Sequence, residues 1–316
     1  MADTGPRRPP RLRPGDTIGV VAPGNPWENR SDLLRSIAAV EAWGLRVKLG
    51  EHVNDRHGYM AGRDEDRAAD LNAMYRDPEV RAIACLQGGY GSPRMIRHLD
   101  REAMTANPKL LLGYSDITAL HLAVAAWGDT ITLYSNGFLG IGAPEVTTFS
   151  KASLHRALFS AEPYGQVGPN PDDPWVRTIH GGRATGRLIG GCFGLVESSI
   201  GTATEIDTRG KILFLESIEE DEVFEIDNGL THLLNAGKLD DVAGIVLGDQ
   251  PGKHTEFQEL SVEDVYEEVV GSLGVPVISG LPIGHGTHHA TVPIGAMATV
   301  DADAGTLVVD EVITSD

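Results

Sequence analysis

A serine, a glutamate and a histidine, far apart along the chain, each stand just after an apolar run that has the character of a buried strand. They are Ser115, Glu216 and His285. A serine hydroxyl is a weak nucleophile, so it needs a base to accept its proton, and the base needs a carboxylate to hold its tautomer and stabilise its charge. These three residue types therefore suit the opening of an amide or ester bond through a covalent intermediate.

The segment around Ser115 predicts a sharp turn from a strand into a helix. Residues 110–112 are leucines, Gly113 ends the run, and residues 116–127 have the spacing of a helix. A serine on such a turn exposes its hydroxyl where the N–H groups and dipole of the helix favour an anion. The full G-x-S-x-G pattern of a nucleophile elbow is absent, because Ile117 stands where its last glycine would be. A helix-capping serine is the alternative interpretation.

The candidate base and its partner are His285 and Glu216. Gly284 and Gly286 flank His285, which leaves its imidazole unshielded and lets the backbone turn. Glu216 ends an apolar strand, where a carboxylate is costly to bury without a partner. Each also has a structural interpretation, as a loop histidine and as the start of an acidic surface run. Single polar residues at strand ends are more often structural than catalytic, so the hypothesis depends on the three together.

A glycine-rich loop and a histidine cluster suggest two further kinds of site. Gly-Gly-Tyr-Gly at 88–91 follows a strand but lacks the G-x-G-x-x-G and P-loop patterns, and it could supply a backbone N–H to an oxyanion. His285, His288 and His289 resemble a zinc cluster, yet no cysteine or nearby carboxylate accompanies them. We therefore predict no metal and no cofactor. The Asp116 side chain is predicted to cap its own helix while its N–H faces the oxyanion.

Composition restricts the partners of the protein. The 316 residues carry a net charge of −19, which argues against nucleic acid or an anionic membrane as partner, because phosphates need clustered lysine and arginine. The cysteines, Cys85 and Cys192, lie in apolar contexts that predict reduced core thiols. Residues 1–12 lack the apolar core of a signal peptide, and no run is long enough to span a membrane. We expect a cytoplasmic protein that acts on a small molecule.

Strands and helices alternate through the first half of the chain. This order predicts an α/β fold with a Rossmann-like parallel sheet, helices on both faces, and a ligand site beyond the carboxyl ends of the strands. A stretch rich in proline, glycine and aspartate at 163–176 predicts a linker. The linker would join an N-terminal domain of residues 1–162 to a smaller, mixed α+β C-terminal domain of residues 177–316.

The second half of the chain mixes short strands and helices. Near its end, residues 292–300 and 306–309 alternate like an antiparallel hairpin. Ser115 lies before the predicted linker, whereas Glu216 and His285 lie after it. The site would therefore lie in a cleft between two domains, and motion about the linker could bring the three side chains together or separate them.

Six segments, in this order and spacing, carry a resemblance to a known family. They are residues 61–71, 88–91, 113–116, 213–216, 244–248 and 284–286. The chain resembles the LD-carboxypeptidase family of serine peptidases, which also contains the MccF-type microcin immunity proteins. The resemblance implies a catalytic triad of Ser115, Glu216 and His285. It also implies an oxyanion hole formed by the backbone N–H groups of Gly89 and Asp116, and a homodimer.

Two positions depart from what the resemblance implies. Gln87 stands where members of the family often have arginine, and Cys192 stands where they often have asparagine. Both positions would lie near bound substrate, so they bear on the identity of the substrate more than on the type of reaction. Gln87, Tyr90 and Trp175 are the predicted substrate contacts, and Trp175 would either stack on a nucleobase or pack as an ordinary core residue.

The resemblance leaves the substrate open. We expect removal of the terminal D-alanine from a cytoplasmic murein tetrapeptide during peptidoglycan recycling. One alternative is hydrolysis of an aminoacyl-nucleotide antibiotic, which would confer self-immunity, and another is amide cleavage or acyl transfer in natural-product biosynthesis. A non-catalytic small-molecule binding protein on the same two-domain frame is the alternative outside the enzymes.

Overall fold

The computed structural model describes residues 5–169, 176–218, 221–249 and 260–316. Its strands are β1 (Thr17–Val21), β2 (Arg46–Leu49), β3 (Val80–Cys85), β4 (Leu110–Gly113), β5 (Thr132–Tyr134), β6 (Gly165–Gln166), β7 (Arg177–His180), β8 (Arg183–Cys192), β9 (Lys211–Glu216), β10 (Gly244–Gly248), β11 (Val277–Leu281), β12 (Val292–Ile294), β13 (Met297–Asp301) and β14 (Thr306–Val309). Its helices are α1 (Arg30–Ala42), α2 (Asp64–Arg76), α3 (Ser92–Met95), α4 (Arg101–Ala106), α5 (Thr118–Trp127), α6 (Phe138–Gly142), α7 (Thr148–Phe159), α8 (Phe193–Ser198), α9 (Val223–Asn235) and α10 (Val262–Val269). Short 3-10 turns occupy Ile96–His98, Ser115–Ile117 and Gly271–Leu273.

The first sheet, as far as the chain is described, has six strands in the order β12-β5-β4-β3-β1-β2. Strands β1 to β5 are parallel to one another. In β3, Ala82 and Ala84 belong to an apolar cluster that includes side chains of α1. Ile83 and Cys85 belong to a second cluster, which includes side chains of α2 and α5. Helices therefore cover both faces, which explains why the strands are continuous apolar runs rather than alternating ones.

The second sheet has eight strands within the described ranges, in the order β6-β14-β13-β8-β9-β10-β11-β7. Its central strands, β8 to β11, are parallel. The outer pairs are antiparallel. In β9 the residues from Ile212 to Glu216 are all buried, so the strand carries its final carboxylate into the interior.

The predicted hairpin at the end of the chain is correct only in its second part. Met297–Asp301 pairs with Thr306–Val309 as expected. Val292–Ile294, however, leaves the hairpin and pairs antiparallel with β5 of the first sheet. All three residues of β12 are buried, which is typical of a strand covered on both faces and not of an exposed hairpin. The turn from β12 to β13 passes through Gly295, at a φ of +90°.

The two sheets confirm the predicted fold class of a parallel, helix-covered sheet followed by a mixed α+β region. The domain division at 163–176 stays a prediction, and β12 lies beyond it while completing the first sheet. Among the described helices, none combines the length and the apolar character that crossing a membrane requires. The candidate residues stand at the carboxyl ends of three strands: Ser115 follows β4, Glu216 ends β9, and His285 follows β11.

Candidate active site

A cavity of about 500 Å³ lies beyond the carboxyl ends of strands from both sheets. Its lining includes Tyr114 and Ser115 after β4, Cys192 at the end of β8, and His285 after β11. The start of α1 and the loop at 87–90 form further parts of its wall. The position agrees with the general rule that ligands of α/β sheets bind outside the carboxyl ends of the strands.

Ser115 has the strained backbone of a nucleophile elbow. Its φ is +60°, and among the described non-glycine residues it shares a positive φ with Asp129 alone. At Gly113, just before the turn, a Cβ would lie 2.9 Å from the Ile117 side chain, so the turn is too tight for a larger residue. At Gly88, in the facing loop, a Cβ would lie 2.8 Å from Cβ of Ser115. The turn therefore forms even though Ile117 replaces the last glycine of the motif.

Glu216 and His285 form a hydrogen-bonded pair. The Glu216 carboxylate is buried, and its Oε2 lies 2.7 Å from Nδ1 of His285. Gly284, at a φ of +106°, allows this approach, because a Cβ there would collide with the same carboxylate oxygen. With Nδ1 held by the carboxylate, a proton exchanged with the cavity would pass through Nε2 of the imidazole.

Tyr134 is a residue of the site that the sequence interpretation missed. It is the last residue of β5 and is fully buried. Its hydroxyl accepts a hydrogen bond from the backbone N–H of Ser115 at 3.0 Å and donates one to Oε1 of Glu216. Burial and the nearby Glu216 carboxylate raise the pKa of Tyr134 well above its usual range, so the hydroxyl keeps the proton that it donates.

The Asp116 side chain anchors the neighbouring loop rather than its own helix, so its predicted capping role is wrong. Its Oδ2 accepts hydrogen bonds from the Ser92 backbone N–H at 2.8 Å and from the Ser92 hydroxyl at 2.6 Å. Burial raises the pKa of Asp116, and the hydrogen bonds from Ser92 oppose that rise. The carboxylate thereby ties the turn that carries Ser115 to the end of the glycine loop at 88–91.

Asn25 holds the other side of the glycine loop. Its backbone N–H donates to the Gly88 carbonyl at 2.9 Å, and its side-chain oxygen accepts the Tyr90 backbone N–H at 3.1 Å. Between them, Gly89 has a φ of +102°, and a Cβ there would collide with the Asn25 side chain. Gly89, a predicted oxyanion donor, therefore lines the cavity on a segment that is fixed at both ends.

Two buried histidines stay neutral beside the site. The His289 ring packs against Tyr114 with centroids 4.9 Å apart, and burial together with the nearby His285 lowers the pKa of His289 to about 3. His121 has Nε2 2.9 Å from the Gly113 carbonyl and Nδ1 2.9 Å from the Thr132 hydroxyl. Burial lowers the pKa of His121 to about 4. Through these two contacts His121 supports the end of β4, just before the Ser115 turn.

The zinc alternative at His285, His288 and His289 is not supported by the geometry. Within the described ranges, the ring nitrogens of these three residues do not all lie within 4.8 Å of one another. Nδ1 of His288 instead lies 3.1 Å from the Thr147 hydroxyl. The described chain does bring His52, Asp55 and Asp66 within that distance, on the surface and away from the cavity lining.

The predicted substrate contacts lie at different places. Gln87 lines the cavity, and its amide donates to the backbone carbonyl of Pro26 at 2.8 Å. Tyr90 also lines the cavity and is 66% exposed. Cys192 lines it from the second sheet, and burial raises the pKa of its thiol well above the usual range. Trp175 lies outside the described residues.

Comparison with known proteins assigns both halves of the chain. Residues 18–135 match the LD-carboxypeptidase N-terminal domain, and residues 185–300 match the LD-carboxypeptidase C-terminal domain. The chain belongs to the LD-carboxypeptidase family. This membership confirms the predicted family, and with it the prediction of an enzyme of the serine carboxypeptidase class.

Curated relatives of this LD-carboxypeptidase extend over nearly its whole length. The probable murein peptide carboxypeptidase of Bacillus subtilis strain 168 is 38% identical over 308 residues, which cover 96% of this chain and 94% of the relative. The murein tetrapeptide carboxypeptidase of Pseudomonas aeruginosa is 29% identical over 304 residues, with 90% of this chain and 93% of the relative covered.

Solved structures of similar fold also cover nearly all of the LD-carboxypeptidase chain. The structure of MccF in complex with glutamyl sulfamoyl guanosine has a TM-score of 0.89 at 22% identity, covering 98% of this chain and 100% of that one. The muramoyltetrapeptide carboxypeptidase from Oxalobacter formigenes has a TM-score of 0.81 at 25% identity, covering 92% and 97%. At 22% identity, the likeness to MccF shows the fold alone.

Proposed function

We propose that this LD-carboxypeptidase removes the terminal D-alanine from a murein tetrapeptide, with Ser115 as nucleophile, His285 as base and Glu216 as the group that orients His285. The observation that carries the proposal is the hydrogen bond between Glu216 and His285 beside a strained Ser115 that lines the same cavity. The identity of 38% to a probable murein peptide carboxypeptidase supports the choice of substrate.

The chemistry follows from the positions of these groups. Ser115 Oγ attacks the carbonyl carbon of the scissile amide while His285 takes the hydroxyl proton. The oxyanion that forms accepts hydrogen bonds from the backbone N–H groups of Gly89 and Asp116. His285 then gives its proton to the nitrogen of the departing D-alanine, which leaves an acyl-enzyme on Ser115. Water, deprotonated by His285, attacks this ester and releases the shortened peptide.

The test combines a covalent probe with an assay of the products. A fluorophosphonate should label the native chain and should not label Ser115→Ala, since the probe reacts with an activated serine. Mass spectrometry after incubation with a murein tetrapeptide should show release of D-alanine, reduced at least ~10³-fold in Ser115→Ala and in His285→Ala. Ser272→Ala, an exposed serine of the 3-10 turn Gly271–Leu273 that does not line the cavity, is the matched control and should keep the native rate.

Each outcome of that test separates the candidate functions. Full activity in Ser115→Ala would end the proposed mechanism. A folded native chain that takes no label would favour a non-catalytic binding protein. Labelling without release of D-alanine would keep the serine hydrolase and reject the murein substrate, leaving a biosynthetic amide as a candidate.

The likeness in fold to MccF supports a second candidate, hydrolysis of an aminoacyl-nucleotide. Incubation of the same enzyme with an aminoacyl sulfamoyl adenosine would release the free amino acid if this function applies. A rate on the tetrapeptide at least ~100-fold higher would support the murein enzyme, and the reverse ratio would support the immunity function. In either case we propose that Gln87 and Tyr90, which line the cavity, contact the substrate.

We also propose a cytoplasmic homodimer. The two buried, unpaired cysteines support a reducing compartment, because thiols that are not paired persist there. The dimer follows from the family resemblance. Light scattering on the purified chain should give twice the mass of 33.7 kDa, and a mass of one chain would reject the dimer.

A further inference from the structure

The Tyr134 hydroxyl joins two parts of the site that come from different sheets. On one side it accepts the backbone N–H of Ser115 at 3.0 Å, and on the other it donates to Oε1 of Glu216. The second carboxylate oxygen, Oε2, holds Nδ1 of His285 at 2.7 Å. One phenol therefore bridges the backbone of the nucleophile and the carboxylate that holds the histidine.

The Tyr134 ring has little freedom to move away from this bridge. It is fully buried and packs against Phe214 at 5.4 Å, His289 at 5.9 Å and Tyr114 at 6.4 Å between ring centroids. Phe214 lies in β9, two residues before Glu216, so the same strand holds both the ring and the carboxylate. A fixed hydroxyl can then set the rotation of the carboxylate, because a carboxylate that is bonded through one oxygen cannot turn the other freely.

We propose that Tyr134 is a positioning residue, which aims Oε2 of Glu216 at His285 and locks the Ser115 turn in the geometry of attack. This inference rests on the triad of the proposed function. The Ser115 N–H is already bonded to Tyr134, which is consistent with the Asp116 and Gly89 amides as the oxyanion donors of the proposed function.

The alternative is a buried tyrosine that only satisfies two polar groups of the core, and the chain contains a matched example. Tyr164 is 2% exposed, its hydroxyl lies 3.0 Å from the Ser153 hydroxyl, and it donates to the Thr291 carbonyl at 2.6 Å. Tyr164→Phe removes the same atom from a similar two-bond bridge that touches none of the proposed triad. Both Tyr→Phe variants should lower the thermal midpoint of the full chain.

The rate of fluorophosphonate labelling separates the two interpretations. Tyr134→Phe should lower this rate and kcat by about tenfold or more, the scale of a lost hydrogen bond to a charged group, while KM stays near the native value. Tyr164→Phe should keep both rates within about twofold. Equal rates in the two variants would overturn the proposal, whatever their thermal midpoints.

A double-mutant cycle tests whether Tyr134 acts through Glu216. If it does, Tyr134→Phe should cost much less in a Glu216→Gln background than in the native chain, because the carboxylate that it aims is already gone. Additive losses would show that Tyr134 acts elsewhere and would overturn the assigned role. The Tyr164→Phe cycle with Glu216→Gln is the control and should be additive.

A proton titration of His285 gives a readout that does not depend on substrate. Among the described residues, the titratable groups near the Glu216–His285 pair include Tyr114, Tyr134, Cys192, Asp221 and His289. The Asp249 carboxylate also lies beside Gly286, the residue after His285. Of these, Tyr134→Phe removes a donor to the carboxylate, which concentrates its charge on the side of His285 and favours the imidazolium. The NMR midpoint of the His285 ring should therefore move to higher pH in Tyr134→Phe and stay in place in Tyr164→Phe.

This titration keeps the inference distinct from the proposed function. If the native chain neither takes the probe nor cleaves a peptide, the proposed function fails, and the NMR midpoint still decides whether Tyr134 acts on the pair. If the chain is an active hydrolase and the midpoint is unmoved by Tyr134→Phe, the proposed function stands and the positioning role is rejected.

Discussion

Strands β4 and β9 both lead into a polar residue of the candidate site, Ser115 and Glu216, yet they position it in different ways. After β4 the chain turns at once through Gly113 and Ser115, and the tight contact that requires Gly113 comes from Ile117, four residues later. After β9 no helix follows directly. Glu216 is instead held by Tyr134 and His285, which lie 82 and 69 positions away along the chain.

The difference shows that one half of the site is local and the other is assembled. The residues that make the nucleophile turn lie in one short stretch of sequence, and the distant contacts from Tyr134 and Ser92 then hold that turn in place. The Glu216–His285 pair depends on several segments that are far apart in the sequence and must all fold into place. We therefore expect the assembled pair to be the more fragile of the two regions.

Among the variants that test this comparison, the largest effect should come from Glu216→Gln, which breaks the assembled pair without changing a residue of the Ser115 turn. An amide can present its NH₂ rather than an oxygen to Nδ1, which favours the wrong tautomer of His285, and we expect kcat to fall by ~10²-fold or more. Folding should be preserved. Glu263→Gln, at the surface start of α10, is the control for steady-state kinetics. An unchanged kcat would indicate that another acid orients His285.

A smaller loss of kcat should follow Gly284→Ala, which displaces the Glu216–His285 pair but keeps both of its side chains. The new Cβ would collide with Oε2 of Glu216, and the residue would also have to adopt a φ of +106°. We expect kcat to fall by about tenfold or more, with a lower thermal midpoint. Gly274→Ala carries the backbone cost alone, since its φ is +70° and nothing lies within 4 Å of the new Cβ. Equal kcat in both variants would contradict the collision.

On the local side, Asp116→Asn tests how much the turn depends on its anchor. The variant keeps an oxygen for Ser92 but loses the charge, so the glycine loop should loosen and kcat/KM should fall by a few-fold, up to ~10-fold. Asp264, an exposed residue in the first turn of α10, accepts the same two bonds from Ser261, at 2.8 and 2.6 Å. Asp264→Asn should therefore keep the native kcat/KM. A loss in Asp116→Asn as large as that in Glu216→Gln would reject the ranking of the two regions.

The smallest effect on rate, and a clear one on stability, should come from His121→Gln, which changes the residue that supports the end of β4 before the Ser115 turn. Its pKa of about 4 lies below that of a free histidine, so between pH 6.5 and 4 the unfolded chain binds a proton that the folded chain does not. The free energy of unfolding therefore falls as the pH falls through this window. The native chain should lose up to ~3 kcal/mol more than the variant between pH 7 and 4.

Urea unfolding at each pH measures this difference directly. Glutamine offers an NH₂ group that can donate and a carbonyl oxygen that can accept in place of the two ring nitrogens, which makes it the conservative choice for the contacts with Gly113 and Thr132. Parallel curves of unfolding free energy against pH would show that His121 takes up its proton in the folded state as well.

How far the sequence could predict the site follows the same division. The Ser115 turn was predictable because a leucine run, a glycine and a helical pattern are adjacent in the chain. Tyr134 was missed although it obeys the same rule, a polar side chain at the carboxyl end of an apolar strand, since its partners depend on which strands become neighbours. The Asp116 side chain was assigned to its own helix for a related reason. Local sequence favours capping, and only the fold brings Ser92 within reach.

The fold class was predictable from the alternation of strands and helices along the chain, whereas the pairing partner of strand β12 was not. Residues 292–294 alternate with their successors in a way that fits a hairpin, and nothing in that pattern distinguishes pairing with β13 or β14 from pairing with β5. Pairing with β5 buries all three residues of β12, and that burial is a property of the assembled sheet rather than of the local sequence.

The place of β12 has a consequence for the order of synthesis. During translation the first sheet emerges with β5 as an open edge, and it stays open until residues 292–294 have left the ribosome. Tyr134 lies on that edge. A nascent chain would thus carry Ser115 before it carries the strand that pairs with Tyr134, which delays the onset of hydrolysis until β12 has been made and paired.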